Sequence, residues 1–435
     1  MPDGVITSNL LISYTKCPLK AYSLYRGEVI VPNHPYSVMV EQNKNIVQQR
    51  YFETVSVINE SGQVLDSRYF PNDKLTIPNA KLIYEKYEAE CGLLRVSKDS
   101  SNGRSFCYEP TIFSGLYSVE DDNKIELIFI ALVLAKLQSG VPSRGAIVTR
   151  DGKVHYVNIK SEDLKSLNKS LKSLELCLLS SSAPALILIK HCVYCSYNAI
   201  CKSRAITDDN LSLLNGISTA SAVAKYNGKG IFTVKQLSYL YRPRRSRKNN
   251  TEIANKHRPE LQALALRASK TYVQVLPVLN RTRTEIFIDI EGVPDQDLYY
   301  LIGLLICREG VIEYKSIWAD SSEDRTKMLE QVNSIVSSYD VSEVVLYHYG
   351  SYESKALAKL IRECGEDRLG LKDKLVNINT SIFGKIYFPV LSNSLKVLGK
   401  YLGASWTSSE ASGLQSIVWR NAWKIRTTTL IRSYC

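Results

Sequence analysis

The apolar positions in the C-terminal third of the chain predict a β-hairpin followed by a third strand. Residues 286–291 have isoleucine at every second position, and a turn at 292–297 separates them from the apolar run 298–306. Another apolar segment, 344–347, leads into a helix that begins near Tyr352. Strands and helices in this order are typical of an α/β sheet domain.

A second α/β domain is predicted over residues 1–205. Residues 10–26 repeat apolar side chains about one helical turn apart and predict a helix that contains Pro18 near its start. Residues 124–138 are apolar on almost every side of a helix and must be buried, whereas short segments such as 82–84 are strand-like.

Residues 206–245 predict a small helical module, because two short helical patterns flank a turn at 227–230 that is rich in glycine. The tract 241–248 carries five positive charges and leads into a linker and helix over residues 246–284. This tract is either a solvated surface or a nucleic-acid-binding segment, and its candidate binding residues are Arg242, Arg244, Arg245, Arg247 and Lys248.

The amino-acid composition indicates which class of partner the protein binds. The 435 residues include 55 Lys and Arg against 43 Asp and Glu, and the net charge of +12 favours DNA or RNA as a partner. No apolar run approaches the roughly 20 residues that cross a bilayer, and the first ten residues lack the order of a signal peptide. We therefore expect a cytoplasmic protein without a membrane segment.

Cysteine spacing predicts a metal site. Cys192, Cys195 and Cys201 form a C-x2-C-x5-C cluster, and Cys17 is the natural fourth ligand. Four thiolates suit either a [4Fe–4S] cluster or tetrahedral zinc, and their spacing does not choose between the two. The neighbouring His191 is interpreted as a surface residue.

The segment 13–18, together with the distant Cys192, Cys195 and Cys201, resembles RecB-type nucleases that carry an iron–sulfur staple. CRISPR adaptation nucleases and helicase-associated nucleases share this plan. The resemblance implies a restriction-endonuclease-like α/β fold, closed end to end by a [4Fe–4S] cluster on Cys17 and the three later cysteines.

The same resemblance implies a metal-dependent active site with a histidine, an aspartate and an acidic-x-Lys motif. The sequence departs from this pattern, because 108–113 contains no such triplet and no histidine lies between His34 and His155. We therefore expect a catalytically inactive scaffold in which Glu109 is the best remaining acid.

The middle module resembles the helix-hairpin-helix modules of DNA-repair proteins, through residues 213–217 and 230–237. Such modules bind the nucleic-acid backbone through turn amides without reading bases. A plain helical spacer is the alternative.

The acidic pair Asp289 and Glu291 predicts a metal site in the C-terminal domain. Residues two apart on a strand point to the same face, and burying two carboxylates in an apolar strand is costly unless a cation compensates. Phosphodiester hydrolysis by Mg²⁺ or Mn²⁺ needs acidic ligands of this kind.

Residues 285–435 resemble the DnaQ-like exonucleases of the RNase H fold, especially the bacterial YprB-type branch found fused to RecB-like domains. Asp289 and Glu291 match the first motif, Glu353 matches the acid of the second, and 394–403 and 411–419 also match. The resemblance implies a 3′–5′ exonuclease acting on DNA or RNA, with Asp289, Glu291 and Glu353 as catalytic metal ligands.

One departure bears on activity. These enzymes place a last aspartate on a C-terminal helix, whereas no acid follows Trp423 here, so we expect weakened binding of at least one metal. His348 is either a base near the site or a structural histidine. An inactive nucleic-acid-binding protein with a structural iron–sulfur cluster is the alternative function, and a zinc-stapled protein with a non-nuclease role is a third.

Overall fold

A computed structural model describes residues 4–28, 32–58, 62–71, 74–97, 107–138, 140–243, 257–279, 281–365, 367–408 and 410–434, with side chains up to residue 426. The chain divides into a first unit of Met1–Leu186 and His191–Ala199 and a second unit of Ile187–Lys190 and Ile200–Cys435. In these ranges no helix is long and apolar enough to cross a membrane.

Within the described residues, the first unit contains a mixed sheet of seven strands and five α-helices. Its strands follow the order β2-β3-β4-β5-β6-β7, and β1 pairs with β4. β3, β4 and β5 are antiparallel, whereas β5 and β6 are parallel and are joined through α4. The elements are β1 Ile6–Thr7, α1 Ser8–Lys16, α2 Pro18–Tyr25, α3 Pro35–Thr54, β2 Val64–Leu65, β3 Thr76–Tyr84, β4 Tyr87–Val96, β5 Tyr108–Phe113, α4 Asp121–Leu137, β6 Arg144–Val148, β7 Val154–Asn158 and α5 Ser161–Leu179.

Both faces of this sheet are covered. The apolar helix predicted at 124–138 is α4, and its residues from Phe129 to Leu134 are buried. Along β5, Ile112 packs in the core that contains α4, while Phe113 packs on the opposite face with Phe52 of α3. Alternation along the strand thus supplies two cores.

The single helix predicted at 10–26 is wrong. α1 ends at Lys16 and α2 begins at Pro18, because Cys17 between them is extended with φ −151°. Proline lacks the N–H of a continuing helix and disfavours helical backbone in the residue before it, so Pro18 begins a new helix.

The second unit begins with a small helical module. It contains α6 Asn198–Thr207 from Ile200 onward, α7 Ala220–Asn227, α8 Val234–Ser238 and α9 Pro259–Ala268. The turn predicted at 227–230 joins α7 to α8, as expected. Leu214, Leu237 and Ala263 share one apolar core, which places α9 against this module.

The remainder of the second unit is an α/β domain around a five-stranded sheet of order β11-β10-β9-β12-β13. β9, β10 and β11 are antiparallel, and β12 is parallel to both β9 and β13. A two-stranded sheet pairs β8 with β14. The elements are β8 Tyr272–Val273, β9 Thr284–Val293, β10 Leu298–Arg308, β11 Val311–Trp318, α10 Arg325–Ser337, β12 Val344–His348, α11 Tyr352–Cys364, β13 Leu375–Asn377, α12 Ile378–Ile382, β14 Ile386–Tyr387, α13 Leu395–Tyr401 and α14 Gly413–Tyr434.

This domain confirms the predicted hairpin, the strand at 344–347 and the helix at Tyr352. β11 was not predicted from the sequence; it is an edge strand on which most side chains are exposed. One face of the sheet packs on α10 and α11 through an apolar core that includes Ile288, Leu304 and Leu357. The opposite face carries the candidate acids.

Candidate active site

Alternation along β9 places its acids on one face of the sheet. Ile286, Ile288 and Ile290 are buried in the core, so Asp289 and Glu291 point away from it. The side chain of Asp289 opens to solvent, while that of Glu291 is half-buried. The pair therefore lies where a ligand from solvent can reach it.

Glu353 lies in the first turn of α11, just after the end of β12, and is only 8% exposed. The loop before it is held by Asn377, whose side chain accepts a hydrogen bond from the Gly350 N–H (3.1 Å) and donates one to the Gly350 carbonyl (2.6 Å). Gly292 allows α11 to approach β9, since a Cβ there would lie 2.6 Å from the Tyr352 hydroxyl.

The three carboxylates influence one another. Loss of solvation raises the pKa of Asp289, Glu291 and Glu353. The charge of Asp289 further raises the pKa of both glutamates, and that of Glu291 also raises the pKa of Glu353. The site is therefore a cluster of acids that disfavours its own ionisation.

The charge of Glu353 is poorly compensated. Its Oε2 is buried without a hydrogen-bond partner and lies 3.6 Å from Nδ1 of His348, which has no partner either. Burial lowers the pKa of His348, so its imidazole favours the neutral form. The structure thus places His348 beside the site but not as a cation.

Glu285 is an acid of β9 whose charge is compensated by an ion pair within the protein. It lies on the same face as Asp289 and Glu291, but Arg281 binds both its oxygens at 2.8 and 2.7 Å. That guanidinium lowers the pKa of Glu285. Among the described residues, Asp289, Glu291 and Glu353 have no ion pair with Lys or Arg.

The last helix adds residues beside the acids that were not predicted from the sequence. Ser416 of α14 donates a hydrogen bond to Oε2 of Glu291 (2.9 Å) and also lies 2.8 Å from the Gly413 carbonyl. Arg420, one turn later, donates to the Ala319 carbonyl and Asp320 and lies over the Tyr300 ring. Only the match at 411–419 drew attention to this segment in the sequence.

Carboxylate oxygens of this kind are the ligands that Mg²⁺ and Mn²⁺ prefer, and the unpartnered oxygen of Glu353 fits such a cation. In the described part of the chain, however, no three His, Cys, Asp or Glu side chains lie close enough together to hold a metal ion. The acids are neighbours without the geometry of a formed metal site.

The same finding applies to the predicted cysteine site. Cys17 separates α1 from α2, and Cys192 and Cys195 lie around a short turn in which the Cys195 N–H donates to the Cys192 carbonyl. Cys201 lies on α6 of the second unit. No metal-binding group that includes these cysteines is present among the described residues.

Glu109, the acid singled out in the first unit, forms an ion pair with an arginine. Arg144 lies 3.1 Å from its Oε2, and Ser97 donates to its Oε1 at 3.1 Å. On the same strand, Phe113 packs edge-on against Phe52, with ring centres 5.8 Å apart. His34 caps α3, and His155 lies beside Thr149.

Of the predicted nucleic-acid contacts, only Arg242 falls within the described residues, where it is exposed. Its carbonyl accepts a hydrogen bond from Arg258, whose guanidinium lies over the Tyr241 ring. Arg244, Arg245, Arg247 and Lys248 lie outside the described residues. His191 is exposed and contacts the Tyr194 hydroxyl.

Residues 286–432 match the RNase_H_2 family model, which belongs to the RNase H superfamily. They therefore form an RNase H-like domain, which covers less than half of the chain. A nuclease-like role in nucleic-acid processing follows from this domain. No curated protein matches the chain.

Proposed function

We propose that the chain is a metal-dependent nuclease of the 3′–5′ exonuclease type, acting on DNA or RNA through Asp289, Glu291 and Glu353. The observation that carries the proposal is the contrast on β9, where Glu285 has an arginine partner and the other acids have none. Acids kept without a cation in the protein suit a cation from solution. Nucleases with this domain usually use Mg²⁺ or Mn²⁺.

In this proposal Asp289, Glu291 and Glu353 hold the ion. The bound ion would supply an activated water and stabilise negative charge on the phosphate. Ser416 orients Glu291 through its hydrogen bond, and Asn377 fixes the loop that presents Glu353. Neutral His348 can accept a proton at Nδ1 beside Glu353.

The N-terminal unit is proposed to be an inactive RecB-like scaffold that carries a [4Fe–4S] cluster, or zinc, on Cys17, Cys192, Cys195 and Cys201. Two observations support a common location for Cys17 and Cys195. Asp122 pairs with Lys16, which precedes Cys17, and the charges of Asp122 and Cys195 both raise the pKa of Tyr194 beyond the effect of burial.

The middle module is proposed to hold the nucleic-acid backbone in the manner of a helix-hairpin-helix. Arg242 and the basic tract that follows it would add affinity through counterion release.

A second candidate function is an inactive nucleic-acid-binding protein with a structural cluster. It is favoured by the first unit, where Arg144 neutralises Glu109 and aromatic packing fills the strand around Phe113. This observation concerns one unit and leaves the acids of the other unexplained, so we give the nuclease precedence.

The deciding experiment purifies the full chain anaerobically and measures Mn²⁺-dependent cleavage of end-labelled single-stranded DNA and RNA. We expect Asp289→Ala to abolish cleavage and Glu285→Gln to retain it. Cleavage that survives in Asp289→Ala would refute the assigned site. An inactive wild-type chain that still binds the strands would leave the second candidate.

A further inference from the structure

The acid-bearing face of the second sheet continues into a row of small residues. Gly303 of β10 lies directly opposite Asp289, and Ser316 of β11 lies directly opposite Gly303. Side chains opposite one another share a face of the sheet. A shallow path with little side-chain bulk therefore leads from Asp289 to the edge strand.

Tyr314 folds over this path. A Cβ built on Gly303 would lie 3.1 Å from the Tyr314 hydroxyl and 3.5 Å from Cε2, so the ring occupies the space that a side chain at 303 would need. Tyr314 is nevertheless 63% exposed. The glycine thus lets an aromatic ring lie beside the acids with most of its surface open to solvent.

Other exposed apolar side chains lie beside the same path. Phe287 and Leu305 lie in one row with Tyr314 across β9, β10 and β11, and both are more than a third exposed. On the other side, Trp318 is 58% exposed and stacks on Tyr300 with ring centres 6.5 Å apart. Rings of this kind bind planar groups through their faces.

We infer that Tyr314 is a stacking subsite for an unpaired base of the strand that the acids act on, so that the preferred substrate is single-stranded. The inference rests on the proposed function. Gly303 lies one strand spacing from Asp289, about 5 Å, which places the base beside the phosphate to be cut. Every base has a face that can stack, so this subsite would be indifferent to sequence.

The chemistry favours a single strand over a duplex. In a duplex each base face is already covered by its neighbours, whereas an unpaired terminal base can turn onto a protein ring. The alternative occupants of an exposed edge strand are another protein or a second copy of the chain. Neither of these occupants explains an aromatic ring that lies over Gly303, directly across from Asp289.

The test uses the full chain in EDTA, so that the strand is bound and not cut. A short DNA strand carries 2-aminopurine at its 3′ end, and the fluorescence of this base falls when it stacks. Affinity is measured by anisotropy for the same strand with normal or abasic terminal nucleotides, and an RNA strand of equal sequence distinguishes the two sources of the base.

We expect Tyr314→Ala to remove the 2-aminopurine quenching and to weaken binding of the normal strand about 5- to 150-fold, the usual loss for one stacked base. Binding of the abasic strand should not change. Tyr314→Phe should behave like wild type, and Ile312→Ala, an equally exposed change on the same strand, serves as the control.

Equal affinity of Tyr314→Ala and wild type for the normal strand would overturn the inference, while Asp289-dependent cleavage would still support the proposed function. A dimer that dissociates in Tyr314→Ala on analytical ultracentrifugation would overturn it as well, because the ring would then serve self-association. Loss of cleavage specificity for single strands in Tyr314→Ala would support it.

Discussion

Replacing Glu353 by glutamine should stabilise the metal-free protein. The wild-type carboxyl is 8% exposed and its Oε2 has no hydrogen-bond partner, and a buried group left in this state costs about 1–3 kcal/mol. Glutamine has the same shape without the charge, and its amide can donate to the neighbouring carboxylates. We therefore expect the free energy of unfolding to rise by about 1–3 kcal/mol at pH 7 in EDTA.

The dependence on pH has a defined sign. Burial and the other two acids raise the pKa of Glu353 in the folded state. A carboxyl with a raised folded pKa contributes its full stability below its ordinary pKa and loses it as the pH rises through the folded value. The advantage of Glu353→Gln should therefore be present at pH 7 and shrink towards pH 4.

In Mn²⁺ the wild type should become more stable to unfolding than Glu353→Gln. An ion that binds only the folded wild type stabilises it by about 2.7 kcal/mol at a hundred times its Kd, whereas the variant has lost a ligand and gains less. All four tryptophans, Trp318, Trp406, Trp419 and Trp423, lie in the second unit, so their fluorescence during urea denaturation reports the unfolding of this unit.

Glu285→Gln is the matched control. This acid lies on the same face of β9 and is equally buried, but its partner Arg281 lowers its pKa, so the substitution should cost up to about 1 kcal/mol. The two variants thus have opposite expected signs. A Glu353→Gln protein that is less stable than wild type in EDTA would refute the reasoning, because the carboxylate would then have a partner of its own.

Two further predictions concern the supports of the proposed sites. Ser416→Ala should raise the Mn²⁺ concentration for half-maximal cleavage several-fold without changing the fold, whereas Ser416→Thr should keep the wild-type value; unchanged metal dependence in Ser416→Ala would show that the hydroxyl does not orient Glu291. Anaerobic purification should give a brown protein whose iron is lost in Cys192→Ala and in Cys201→Ala. A colourless protein with stoichiometric zinc would show that the four cysteines hold zinc instead of an iron–sulfur cluster. Absence of both metals would refute the four-cysteine site.

The core of the second sheet was predictable and its edge was not. β9 and β10 are apolar wherever they face α10 and α11, so their pattern is strong. β11 has one core-facing position in its apolar cluster, Ile317, and its remaining residues mix charged and apolar types that face solvent. An edge strand gains its position from pairing with β10, and backbone pairing leaves little trace in the sequence.

Local backbone chemistry explains the error in the first helix. The apolar repeat over residues 10–26 continues through Pro18 without a break, because α1 and α2 both bury side chains in the same region. Periodicity reports which residues are buried and is silent about a bend between two helices. Pro18, and not the apolar repeat, indicates that one helix ends and another begins here.

The two units differ in whether their acids have cationic partners, a difference that cannot be seen in the sequence. In the first unit Glu109 contacts Arg144, and Glu126 lies 3.4 Å from Lys44, so both of these half-buried carboxylates have a cation within the protein. In the second unit the buried Glu285 follows the same rule, yet the buried Glu353 does not. The sequence does not show which acid has a cationic partner, since Arg144, Lys44 and Arg281 lie on other strands, helices or loops. A buried carboxylate without a partner is costly, so the presence of Glu353 argues for a cation that binds from solution. This argument places the proposed chemistry of the chain on the second sheet.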